Sequence, residues 1–246
     1  MDTEVIWLTI IFFVIALIYA AVGQAGASGY IAAMAFFGFA PATMKTTALA
    51  LNLSVAMIGT FYFMKSGQLS WRNVYPFTIL GFPFSLLGGA TYLSQEFYYP
   101  MVGLILIFSA IQMAKSAFHK NVPLGRSGVL PFWPALATGA IIGFVSGTTG
   151  TGGGVFLAPV ILAMNWGGAH QIAATTAVYN LMNSAAGLMG AYPYWYAFPT
   201  SLPWWLGAVV VGGLIGACVG SRYLPDHWLQ AILAMLLLVS GIKLFW

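Results

Sequence analysis

The stretch Gly147-Thr148-Thr149-Gly150-Thr151-Gly152-Gly153-Gly154 decides the fold, because it interrupts a chain that is otherwise almost continuous membrane-length apolar sequence. Glycine weakens helices, and unwound backbone at membrane depth survives only where protein buries it or a polar cavity meets it. Four glycines crowd into positions 150–154, and Pro159 follows. A helix-packing motif would keep helical spacing, as Gly212, Gly213 and Gly216 do. The run carries no charge. It offers backbone N–H groups and hydroxyls, which suit a small anion.

The rest of the chain supplies the surroundings. Its 246 residues are 61% hydrophobic and 5% charged, against about 25% charged in a soluble domain. Mean hydropathy is +0.91. Too few charges remain to coat a water-facing surface, and the alternation of a membrane barrel is missing. Apolar runs at 5–22, 74–93, 101–114 and 228–244 have helix length or close to it. An all-α polytopic membrane protein is expected. The pI of 9.2 does not point to nucleic acid. The Lys and Arg residues sit singly at span ends and in loops, where they anchor and orient. The acidic start, Met1-Asp2-Thr3-Glu4, ahead of a long apolar run predicts a retained first span, not a cleaved signal. Cys218 is the one cysteine. It forms no intrachain disulfide and reads as a small packing residue.

The chain repeats itself. Asn52-Leu53 with Gly59 matches Asn180-Leu181 with Gly187, and Gly88-Gly89-Ala90 matches Gly216-Ala217-Cys218, all at an offset of 128. Upstream, Gly26 aligns with Gly150 at an offset of 124, which places Ala35 opposite Pro159 and leaves four residues to the loops around Pro41 and Gly167. Residues 1–114 and 128–246 form the two repeats, joined by the polar linker 115–127. The segments behind the two glycine breaks, 30–39 and 155–165, span only about 15 Å each, half of a hydrocarbon core of about 30 Å. They read as broken or re-entrant helices. One face then receives Lys65, Arg72, Lys115, Lys120, Arg126 and Arg222, and the other Asp2, Glu4, Lys45, Glu96 and Lys243. Six cations against two make the first face cytoplasmic and put both termini outside. The repeats come out inverted, with their glycine breaks meeting near the midplane, as in many secondary transporters. A parallel eight-span arrangement is the alternative.

The acids Asp2, Glu4, Glu96 and Asp226 all fall near span ends. A carboxylate relay or cation carrier keeps such a group in mid-membrane despite a cost of about 3 kcal/mol. No Ser/His/Asp grouping or metal-ligand spacing appears. His119, His170 and His227 are far apart and next to loops. Neither enzymatic activity nor a cofactor or metal is expected. The polar groups inside apolar sequence are neutral: Gln24, Ser28, Thr46, Thr47, Asn52 and Ser54 in the first half, and Ser146, Thr148, Thr149, Thr151, Thr175, Thr176, Asn180 and Asn183 in the second. Thr47 and Asn52 share a spacing of five with Thr175 and Asn180, about 140° apart on a helix. Such groups serve as helix–helix glue or line a site; the repeated Asn pair leaves both readings open. Tyr192, Tyr194, Trp195, Tyr196, Trp204 and Trp205 read as an interfacial belt.

Residues 143–159, centred on the glycine run, resemble the Gly-rich signature of the sulfite exporter TauE/SafE family. Ala174-Thr175-Thr176-Ala177-Val178-Tyr179-Asn180, Lys65-Ser66-Gly67-Gln68-Leu69-Ser70-Trp71-Arg72 and Arg222-Tyr223-Leu224-Pro225 are similar to further segments of that family. The resemblance covers nearly the whole chain. The first break, Gly23-Gln24-Ala25-Gly26-Ala27-Ser28-Gly29, departs by lacking the triple glycine, so Gln24 and Ser28 become its side-chain donors. The resemblance implies transport of a small sulfur-containing anion: sulfite, an organosulfonate or thiosulfate.

The expectation is a secondary transporter in a bacterial-type plasma (inner) membrane. Its substrate site comprises Gln24, Gly26, Ser28, Gly29, Thr47, Asn52, Thr149, Gly150, Thr151, Gly152, Gly153, Gly154, Thr175 and Asn180. The partners expected are the small anion and the lipid bilayer, with a homodimer left open and no nucleic acid. A passive anion or solute channel and a non-transporting membrane scaffold are the alternatives.

Overall fold

The computed structural model describes residues 3–21, 24–65, 67, 69–118, 130–164, 166–167, 169–220, 234–235, 237–239, 241–242 and 244–245. Asp2, Gly23, Ser66, Gln68, His119, Lys120, Arg126, Asn165, residues 222–227 and Lys243 lie outside them, as do most of the linker 115–127 and the side chain of His170. Most of the described residues are helical, and none of them forms a strand. In chain order the helices are α1 (Thr3–Ala21), α2 (Ala27–Phe36), α3 (Pro41–Lys65), α4 (Trp71–Ala90), α5 (Gln95–Phe118), α6 (Phe132–Thr149), α7 (Gly154–Ala163), α8 (Ala169–Gly190) and α9 (Leu202–Gly220). A 3-10 helix, Tyr192–Ala197, precedes α9.

Local chemistry sets these boundaries. Pro41 opens α3, where its missing N–H costs nothing. Gly26 at φ 94° stands directly before α2, and Gly150, Gly152 and Gly153, at φ 86°, 76° and 87°, separate α6 from α7. A side chain at such left-handed positions is strained, so the chain breaks where the glycines are. The short helices α2 and α7 have ten residues each. α2 turns back on α1: a Cβ on Gly29 would press on Ile15 and Tyr19, and the Tyr19 hydroxyl lies 2.9 Å from Ser28 Oγ.

α3 and α8 pack together at the centre, antiparallel, with Asn52 against Asn180 and Leu49 against Gly187. α4 runs along α6 and α8, while α9 runs along α1 and α3. Small residues make these seams close. Gly139, Gly143 and Gly147 recur every fourth residue on α6, and a Cβ on them would fall on the carbonyls of Phe77, Gly81 and Ser85, which recur every fourth residue on α4. On the other seam a Cβ on Gly212 or Gly216 would fall on the carbonyl of Phe13 or Leu17. Small residues at helical spacing let backbones touch where lipid offers no hydrophobic drive between helices.

Three expectations are corrected. The helix starts, Ala27 and Gly154, lie 127 apart, not 124. Gly26 therefore corresponds to Gly153, each left-handed and directly before its short helix, and Ala32, not Ala35, stands opposite Pro159. Only one residue is absorbed before the 128 offset of α3 and α8. Lys45, expected as an anchoring cation at a span end or in a loop, stands near the start of α3 but is buried, with 4% of its surface exposed. Trp205 is not in the interfacial belt. It is buried, with Phe12 edge-on to it at 5.1 Å, while Tyr192, Tyr196 and Trp204 are exposed as expected.

Candidate functional site

The site grows from the middle of the 25-residue α3. Asn52 is fully buried there, and a polar amide without partners in such surroundings is costly. Its three partners come from two other segments. The Ala27 N–H, at the start of α2, donates to Asn52 Oδ1 at 2.9 Å. Asn52 Nδ2 donates to Asn180 Oδ1 at 3.0 Å and to Ser184 Oγ at 2.7 Å, both on α8. A backbone N–H only donates, so Ala27 fixes which end of the Asn52 amide is oxygen. That fixes Asn180 in turn: its oxygen faces Asn52, and its NH2 is left beside Gly154. The uncommitted end of the pair is therefore a donor.

A cleft of about 410 Å³, its open mouth included, lies against this pair. From the first half it is lined by Gln24, Gly26 and Ala27 of the break and by Asn52, Val55, Ala56 and Gly59 of α3. Thr151, Gly154, Val155, Thr176, Ala177 and Asn180 line it from the second half. Every lining residue is neutral. The first turns of both short helices border it, and the first four N–H groups of a helix have no acceptor within that helix. Two partial positive ends thus face one cleft. From the Asn pair the lining runs toward the C-terminal half of α3 and the N-terminal half of α8, which lie on the same side of the pair because the two helices are antiparallel.

The structure brings together Gln24, Gly26, Asn52, Thr151, Gly154 and Asn180 of the expected residues. Gln24 is the most notable among them, because its Oε1 is buried without a hydrogen-bond partner. Gly152 stands just behind the pair: a Cβ there would fall on both Asn amides. Gly153 backs onto Asn183 and Ser146. Thr149 Oγ1 donates to the Val145 carbonyl at 2.7 Å and lies 3.0 Å from Thr151 Oγ1, so it supports the wall from behind. Gly150 packs on the backbone of Lys45, and Gly29 on α1.

Three further expected residues stand away from the cleft altogether. Ser28 ties α2 to Tyr19. Thr47 is buried with Oγ1 unpartnered. Thr175 lines a different recess with Phe77, Trp166 and Ile172. Sequence reasoning missed Ser184 and Thr176 as site residues. At the 128 offset their counterparts are Ala56 and Ala48, so the repeat gave no signal. The available signal was Ser184 standing four residues after Asn180, on the same helix face.

Among the described residues no group of His, Cys, Asp and Glu is placed to hold a metal. The arrangement presents neutral donors and helix ends to a small solute.

Comparisons with known proteins agree. The family model for the sulfite exporter TauE/SafE matches residues 8–244. A probable membrane transporter protein of Sinorhizobium fredii is 66% identical over the full length of both chains. A probable membrane transporter protein of Methanocaldococcus jannaschii is 24% identical over 76% of this chain and 73% of its own. No solved structure matches significantly. This integral membrane protein belongs to the TauE/SafE sulfite exporter family, whose matched relatives are named as transporters and not as enzymes.

Proposed function

We propose that the protein is a secondary transporter for a small sulfur-containing oxyanion, held at the cleft between Asn52 and Asn180. One observation carries this reading. The polarity of the Asn pair is fixed from the Ala27 N–H, so Asn180 offers a donor where two helix N-termini converge. Backbone N–H groups and amide NH2 groups satisfy anion oxygens. With no fixed cation on the wall, the anion is bound loosely enough to leave. Gln24, Gly26, Thr151 and Gly154 complete the binding surface, and Gly152 holds space for it.

The transporter consists of two inverted repeats, 1–114 and 128–246, joined by the cytoplasmic linker 115–127, with both termini outside. The antiparallel packing of the equivalent helices α3 and α8 supports the inversion, and the halves exchange partners. α4 packs on α6, and its counterpart α9 packs on α1, the counterpart of α6. The contacts correspond residue by residue. A Cβ on Gly88 would fall on the Phe144 carbonyl, and one on Gly216 on the Leu17 carbonyl. Gly88 and Gly216 lie 128 apart, and Leu17 and Phe144 lie 127 apart. The ten-residue lengths of α2 and α7 support half-membrane helices. A cleft that extends to one side of the Asn pair favours a carrier over a passive channel.

The test is flux of labelled sulfite, an organosulfonate and thiosulfate into proteoliposomes, run with counterflow. Saturable, counterflow-competent flux of one of these anions is expected. Non-saturable flux would replace the carrier with a channel, and absent flux of all three would remove the substrate class.

A further inference from the structure

Lys45 is a buried cation that the cleft does not use. It lies seven residues before Asn52 on α3, about 10 Å along the helix, and on the side of the pair away from the cleft. Gly59, on the cleft wall, lies seven residues beyond Asn52. The ammonium group donates to the carbonyls of Gly88 at 3.3 Å, Gly89 at 2.6 Å and Thr91 at 2.9 Å. An ammonium has three N–H donors, so its donor capacity is fully spent on the C-terminal end of α4. A cation there is stabilised by the carbonyl ends of the helix. The Tyr194 ring covers it, 5.2 Å from Nζ to centroid, and the Tyr194 hydroxyl donates to the Ala90 carbonyl at 3.2 Å.

A second recess of about 250 Å³, its open side included, is lined by Lys45, Thr91, Tyr98, Thr148 and Tyr194. Thr148 faces this recess and Thr151 faces the cleft. Between them Gly150 packs on the Lys45 backbone, and the Tyr98 hydroxyl holds the Thr149 carbonyl at 2.8 Å. The glycine break is thus the wall between two recesses. At the 128 offset the counterpart of Lys45 is Ala173, so the other end of the bundle lacks this tie. It is also the end toward which the cleft extends.

We propose that the recess beside Lys45 is the second entrance to the Asn52–Asn180 pair, and that the Lys45 tie from α3 to the end of α4 is the gate that holds it shut. Release requires only that an ammonium leave three carbonyls, with no covalent change. The freed cation then stands at the entrance of an anion path. The proposal rests on the transport reading of the cleft.

The experiment follows gate position without needing flux. Thr148→Cys reports the recess and Ala56→Cys reports the cleft, each in a Cys218→Ser background. Both are labelled with a membrane-impermeant maleimide in right-side-out and inside-out vesicles. Lys45→Met is expected to raise the Thr148→Cys rate roughly tenfold from one face only, as loss of a hydrogen bond to a charged group shifts a two-state equilibrium. It is expected to slow Ala56→Cys labelling from the opposite face. Tyr194→Ala, at a half-buried surface position, gives a rise of about threefold on the same argument. An unchanged Thr148→Cys rate in folded Lys45→Met protein overturns the gate. If that variant does not accumulate, an unchanged rate in Tyr194→Ala overturns it. Sulfite flux measured on the same vesicles separates the two ideas. Switched labelling without flux of any tested anion keeps the gate and removes the substrate reading. Intact flux with unswitched labelling removes the gate alone.

Discussion

The two glycine breaks do the same geometric job with different chemistry. The second break places left-handed Gly152 and Gly153 ahead of α7. The first manages with Gly26 alone, and Ala25 stands where the second break has Gly152, 127 positions on. The difference tracks what lies above each break. Gly152 sits under both Asn amides and has no room for a Cβ. The first break instead donates the Ala27 N–H to Asn52. One break makes space for the pair and the other orients it. A repeated sequence has thus yielded an asymmetric site, with Asn52 committed on both ends and Asn180 on one.

Breaking that comparison is simplest at Gly152. Gly152→Val puts a β-branched side chain at φ 76° and onto both amides. Strain of about 1–3 kcal/mol and loss of the Asn52–Asn180 contact are expected, with flux at background in the protein that still folds. Ala25→Gly at the matching position should leave flux and melting temperature near parental. Equal damage at both positions would erase the distinction between the breaks.

Asn180→Asp is the next largest. It removes the free donor and faces the anion with a carboxylate, so substrate-dependent thermal stabilisation should vanish. Asn180→Ala should weaken binding by about 1–3 kcal/mol, the range for a hydrogen bond to a charged group. Asn52→Ala should act in the other order. Its first effect is a lower melting temperature without substrate, because Ala27, Asn180 and Ser184 all lose a partner, at about 1–3 kcal/mol for a buried group left unsatisfied. Differential scanning on the three variants, with and without anion, separates affinity from stability. Matching profiles for Asn52→Ala and Asn180→Ala would make the site symmetric after all.

The smallest effects belong to the residues off the cleft wall. Ser28→Ala should cost about 1 kcal/mol of stability through the lost Tyr19 bond and leave the Kd unchanged. Thr175→Val should leave the Kd unchanged as well, because Thr175 faces the recess of Phe77 and Trp166. A tenfold rise in Kd for Thr175→Val would mean that this recess communicates with the cleft.

Sequence by itself determined the helical membrane class, the position of the glycine breaks and the equivalence of Asn52 and Asn180 in the repeat. Each is a local or a translational property. Charge scarcity, glycine crowding and an equal offset can be read without knowing what packs on what. Tertiary structure alone decided that Lys45 is buried, that Trp205 packs on Phe12, that Thr175 turns away while Thr176 and Ser184 turn inward, and that Gly26 answers to Gly153. The physical reason is the uniform apolarity of the chain. A helix that is apolar all round gives no amphipathic stripe to tell its lipid face from its buried face. The four-glycine cluster likewise allows several alignments with a single glycine. Only the partner across the seam, from a segment more than a hundred residues away in the case of Asn52 and Asn180, selects the face and the frame.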